Sequence, residues 1–190
     1  MTGIMTRMRG AIDRLRRDRS GVGAVEFALI APVLIVLYIG SLEISVAMSV
    51  NKKVARAASS IADLVTQNTD VNKTMLKTMV DVAQSIITPF QVNGLKIRIS
   101  GIKIDSTGKE TIAWSWDEKN TRPYAVGSVT TVPTDLDVKN TFLVRTEVSL
   151  QHSLLLVTPN IQDVDVKTLT MSKTYHLRQR IGDEVACSDC

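Results

Sequence analysis

Three sets of residues in this chain have types and spacings that could do chemistry: two histidines, a pair of cysteines, and a lone carboxylate at the lip of the longest apolar run. His152 is flanked by Gln151 and Ser153, and His176 by Tyr175 and Leu177, so neither has a carboxylate beside it in sequence to orient it. No HExxH, phosphate-binding glycine loop or GxSxG occurs, which leaves hydrolase and metal chemistry without a foundation. Both histidines are expected to be solvated or hydrogen-bonded strand residues. Cys187 and Cys190 form a C-x-x-C. A redox centre of that type wants a strand before it and a helix after it, and zinc needs four ligands where this pair supplies two. In an oxidising compartment a disulfide holding the tail is expected, with intermolecular pairing or a labile disulfide as alternatives. The chain is expected to be no enzyme and to carry no cofactor or metal.

The carboxylate is Glu26, in "RSGVGAVEFALIAP", five residues after Gly21. A charge there is expensive if the segment enters a bilayer. From Phe27 to Leu42 no residue is charged, and Glu43 closes the run. Sixteen helical residues span roughly 24 Å, a little short of the hydrocarbon core, and the apolar residues on either side supply the remaining length. Ahead of the run stand Arg7, Arg9, Arg14, Arg16, Arg17 and Arg19 against Asp13 and Asp18. These account for the whole formal net charge of +4, so the rest of the chain is neutral and the basicity gives no reason to expect nucleic-acid binding. By the positive-inside rule the N-terminus lies in the cytoplasm and the remainder across the membrane. A cleaved secretory signal would share the basic head, but this run is longer than a usual signal core, and "SVAMSV" is the nearest thing to a signal-cleavage site.

Helical periodicity continues past the apolar run. Ala47, Val50, Val54, Ala57, Ile61 and Leu64 recur three and four apart, so one helix is expected from about Val22 to Thr66, with Pro32 near its start. A second amphipathic helix is expected over "NTDVNKTMLKTMVDVAQSIITPF", capped by Asp70 or Asn72 and stopped by Pro89, its methionines serving as core filler. The period then changes to two. Leu95, Ile97 and Ile99 alternate, the phase shifts at Gly101 to Ile102 and Ile104, and Gly101 reads as a bulge. Ile112, Trp114 and Trp116 are expected on one strand face. Phe142, Val144, Val148 and Leu150 share another, and Leu169, Met171, Tyr175 and Leu177 a third. Residues 106–109 form a turn and 120–140 a long loop. The tryptophans, with Pro123 and Tyr124, offer an aromatic partner surface; the expectation favoured is that both tryptophans pack beneath helices. The fold class is α+β: a long N-terminal helix, transmembrane in its first half, and a second amphipathic helix, packed on a roughly four-stranded antiparallel sheet.

The arrangement of an arginine-rich leader, Gly21, "VGAV", then Glu26-Phe27 and an apolar helix resembles the processing site of type IV prepilins. More narrowly, "RSGVGAVEFALIAPVLIVLYIGSLEI" followed by "KKVARAASSIAD" resembles the TadE/TadG-like proteins of the tight-adherence (Flp) pilus system, over residues 14 to 66. The resemblance implies cleavage between Gly21 and Val22 by a prepilin peptidase; a cut after Gly23 would leave Glu26 at the third mature position, off the pattern. Most of the 190 residues would remain, far more than the short major pilin of that system, which implies a minor pilin or pseudopilin of TadE type. With that cut, the charge, apolar run and periodicity divide the chain into an expected basic leader (1–21), transmembrane helix (22–50) and periplasmic α+β domain (51–190). That domain would be helical over 51–89 and strand-rich over 94–180, with a cysteine-containing tail at 181–190. Implied partners are the peptidase, other Tad pilus subunits, the inner-membrane platform and membrane lipid. The alternative is an unprocessed, signal-anchored periplasmic scaffold of a pilus or secretion complex.

Overall fold

The computed structural model describes residues 21–154 and 168–190; the arginine-rich leader up to Ser20 lies outside them. The chain divides into two units between Ile44 and Ser45. Helix α1 (Val22–Thr66) begins in the first unit and runs on through the second. It passes through Pro32, which has no N–H to give, so the Ala28 carbonyl loses its helical partner without ending the helix.

In the second unit α1 buries Val50, Val54, Ala57, Ala58, Ile61, Ala62 and Val65. The expected member Leu64 is 37% exposed instead. Val65, four residues after Ile61, continues the i, i+4 row, and Leu64 falls to one side of it. After a two-residue strand β1 (Asp70–Val71) comes α2 (Lys73–Ile87). Its cap is Asn72, whose side-chain oxygen accepts the Met75 N–H at 2.8 Å; Asp70 belongs to β1 instead. Leu76, Met79, Ala83 and Ile87 form its buried face. At its far end the Lys53 ammonium of α1 donates to the carbonyls of Ile86 (3.1 Å) and Thr88 (2.6 Å). A cation thus satisfies acceptors that the helix end leaves open.

Four antiparallel strands follow, β2 (Lys96–Ile104), β3 (Glu110–Asp117), β4 (Thr141–Ser153) and β5 (Thr168–Arg178), in spatial order β3-β2-β4-β5. One sheet face carries Ile97, Ile99, Trp114, Trp116, Phe142, Val144, Val148, Leu150 and Met171, which share a core with the two helices. Both tryptophans are buried there, so they offer no partner surface. Each fully buried aliphatic side chain of such a core contributes roughly 1.5–3 kcal/mol.

Alternation alone places Ile112 with Trp114 and Trp116, but the structure separates them. Ile112 packs with Ile102, Ile104 and Leu143 in a second cluster, under Tyr124, Val132 and Leu136 of the long loop. The cause is the bulge. Ile102 pairs with Ile112 and Gly101 with Trp114, leaving Ala113 of β3 as the extra residue, while the β2–β4 ladder runs unbroken. One inserted residue reverses the facing of every later side chain on its strand. The bulge therefore lies on β3, opposite Gly101. Part of the loop returns along β3: Ile112 donates to Ser128 at 3.0 Å and Thr130 to Glu110 at 3.1 Å.

The tail contains β6 (Ala186–Cys187), which pairs in parallel with β1. Trp114 Nε1 donates to the Val185 carbonyl at 2.6 Å and ties this tail to the core.

Candidate functional site: the N-terminal segment

At the start of α1 the Gly21 carbonyl accepts the Val25 N–H at 3.1 Å. Glycine is not required there by conformation or by space. Among the described residues a Cβ at Gly21 or Gly23 would meet nothing within 4 Å, and neither residue has a left-handed φ. Gly101 is the contrast, since a Cβ there would run into Trp114 and Phe142.

Glu26 is the fifth residue of the helix, and the first turn holds no acidic side chain. The dipole effect fades beyond the first turn, so it gives a poor reason for a carboxylate at this depth. Residues i and i+4 are neighbours on a helix surface, which puts Glu26 on the same face as Val22. Phe27 is 71% exposed, and so for the most part are the apolar residues that follow it: Leu29, Ile30, Val33, Leu34, Ile35, Val36, Leu37 and Tyr38. This is the one helix among the described residues that is long and apolar enough to cross a membrane, and none of its most apolar stretch is buried within the protein. A core helix of a soluble domain would be covered. The segment is consistent with a single-pass membrane anchor.

Residues 21–63 match the family model of TadE-like proteins. The TadE-like segment begins at Gly21, takes in Val22, Glu26 and Phe27, and ends within α1. No curated protein and no solved structure matches the chain.

Away from the TadE-like segment, Cys187 and Cys190 are joined in a disulfide, with Cα atoms 5.5 Å apart. Between them Asp189 accepts the N–H of Lys73, the first residue of α2, at 2.9 Å. The two sulfurs and the Asp189 carboxylate sit close together, but sulfurs bonded to each other supply no thiolate, and this set does not fit a metal.

Folding also builds a polar cluster on the second sheet face that neighbour-by-neighbour reading of the histidines misses. Arg145 is 8% exposed; it donates to Thr130 Oγ1 at 2.8 Å, approaches Glu147 at 3.7 Å and lies 4.6 Å from the centre of the Tyr124 ring. The Tyr124 hydroxyl donates to Glu147 at 2.7 Å. Burial, then the Glu147 carboxylate, raises its pKa above the usual tyrosine value, which keeps the hydroxyl a donor. His176 pairs with Arg145 across the β4–β5 ladder. Its Nε2 has no hydrogen-bond partner among the described residues. Burial and the Arg145 charge lower its pKa, opposed by Glu147. The sequence signal was present in Arg145 and Glu147, two charges at alternate positions of one strand. Their partners come from residues 124, 130 and 176, which only the fold brings near.

Proposed function

We propose that the protein is a minor pilin or pseudopilin of TadE type, serving assembly of a Tad/Flp-type IV pilus and through it adhesion and biofilm formation. The observation that carries this reading is the family match, which starts at Gly21 itself. In this reading the leader lies in the cytoplasm, α1 crosses the inner membrane once, and the α+β domain lies in the periplasm, where a disulfide is at home. A prepilin peptidase cuts between Gly21 and Val22. The cut removes the six arginines that hold the terminus on the cytoplasmic side and creates an ammonium on Val22. Glu26 neutralises that ammonium, its own or that of an adjoining subunit, and so lowers the cost of burying either charge among apolar helices. The role is non-enzymatic. The partners are the peptidase, other Tad subunits, the membrane platform and lipid.

That Gly21 has no steric or conformational duty among the described residues supports a duty in recognition. The apolar helix by itself would equally serve an unprocessed, signal-anchored scaffold. Co-expression with an active prepilin peptidase, and with its inactive variant, separates the two. A mobility shift seen only with active peptidase and abolished by Gly21→Asp supports processing; an unshifted wild-type band beside a processed control pilin overturns it.

A further inference from the structure

On the second sheet face, beyond the Tyr124 end of the loop, Lys96, Arg98, Glu147, Ser149, Ser172 and Thr174 line an open cleft of about 270 Å³. The ladder registers arrange them as two rows of three: Lys96–Ser149–Ser172 and Arg98–Glu147–Thr174. With strands about 4.8 Å apart and alternate residues about 6.7 Å apart, the grid measures roughly 10 Å by 7 Å. Short hydroxyl side chains form one side of it and two long cations the other.

The groups are not equivalent. Glu147 is oriented by the Tyr124 hydroxyl and by Arg145, and Arg98 is held by Tyr124 and by the charges of Glu147 and Glu118. Lys96 is exposed and makes no ion pair among the described residues. We propose that this cleft binds an acidic sugar chain. Lys96 and Arg98 meet its carboxylate, Glu147 accepts from its hydroxyls, and Ser149, Ser172 and Thr174 hydrogen-bond along it. The occupant follows from charge and donor complementarity. A carboxylate amid cations and hydroxyls accommodates a ligand that is both anionic and hydroxyl-rich. A doubly charged phosphate would face Glu147, and the ladder already engages the backbone amides of β2 and β4. The proposal concerns the folded domain alone and is independent of how the N-terminal segment is processed.

The test is calorimetry on the full chain in lipid nanodiscs, with empty discs as control. A galacturonate hexamer, its methyl ester and inorganic phosphate are the probes. Saturable binding of the hexamer is expected, with the ester weaker by about two- to fivefold, the scale of an exposed ion pair. Lys96→Gln should weaken the hexamer by a similar factor. Ser172→Leu, at an exposed position, should fill the floor and abolish binding while the melting curve stays unchanged. No saturable heat, equal affinity for the ester, phosphate binding as tightly as the hexamer, or wild-type binding by Ser172→Leu would each overturn the proposal.

Discussion

Gly101→Ala tests how tightly the tail, Trp114 and Phe142 depend on one missing methyl group. Gly101 has no left-handed φ, so alanine suits its backbone and the whole penalty comes from space. The new Cβ would lie 2.5 Å from Phe142 Cζ and 2.7 Å from Trp114 Cε2, with Trp114 Nε1 nearer still. Phe142 and Trp114 are 1% and 4% exposed, so neither ring has free room to retreat. An added methyl in a packed core costs about 1–3 kcal/mol. If the indole moves, it also strains its bond to the Val185 carbonyl, worth about 1 kcal/mol. Against this, alanine restricts the unfolded chain and returns about 0.4–1 kcal/mol. The net loss is about 1–3 kcal/mol, a fall in Tm of roughly 3–10 °C for a domain of this size. Thermal melts of the full chain in detergent, followed by circular dichroism and tryptophan fluorescence, measure it. The tail should also become more sensitive to protease. A Tm within about a degree of wild type would refute the steric reasoning.

Three further outcomes are expected. Glu26→Ala should leave peptidase cleavage intact yet remove most piliation, since an uncompensated buried ammonium costs about 3–5 kcal/mol; pilus counts by electron microscopy check it, and normal piliation would remove the neutralising role. Asn72→Ala loses the cap on the Met75 N–H and should cost about 1 kcal/mol, read from denaturant midpoints. His176 has its folded pKa below the ordinary 6.5, so the unfolded chain binds more protons, and its share of stability, complete above that value, falls as pH drops through 6.5 towards the folded pKa. Melting curves between pH 8 and 5 should therefore be flatter in His176→Gln than in wild type, and parallel curves would count against the assignment.

The apolar run, both helices and the four strands were legible because their periods of 3.6 and 2 are written locally in residues such as Leu76, Met79 and Ala83, or Val144, Val148 and Leu150. The facing of Ile112 was not legible. It depends on Ala113 being left over in a pairing with β2, and an alternation pattern cannot show which strand carries the extra residue. Nor was the cover over the second face, because Tyr124, Val132 and Leu136 are isolated apolar residues in a loop with no period of its own. The cluster of Arg145, Glu147, Tyr124 and His176 joins residues 52 apart at its extremes, and burial, which sets its electrostatics, has no local sequence signature. The N-terminal segment was the most readable part of the chain, since Gly21, Glu26 and the apolar run lie side by side in sequence.

The most direct test is the intact mass and N-terminal residue of the protein recovered from cells with an active prepilin peptidase. Cleavage after Gly21 predicts a chain beginning with Val22, with Glu26 as its fifth residue. A chain beginning with Ala24 would move the cut to Gly23 and break the spacing to Glu26, and one that keeps the leader under active peptidase would contradict the pilin reading.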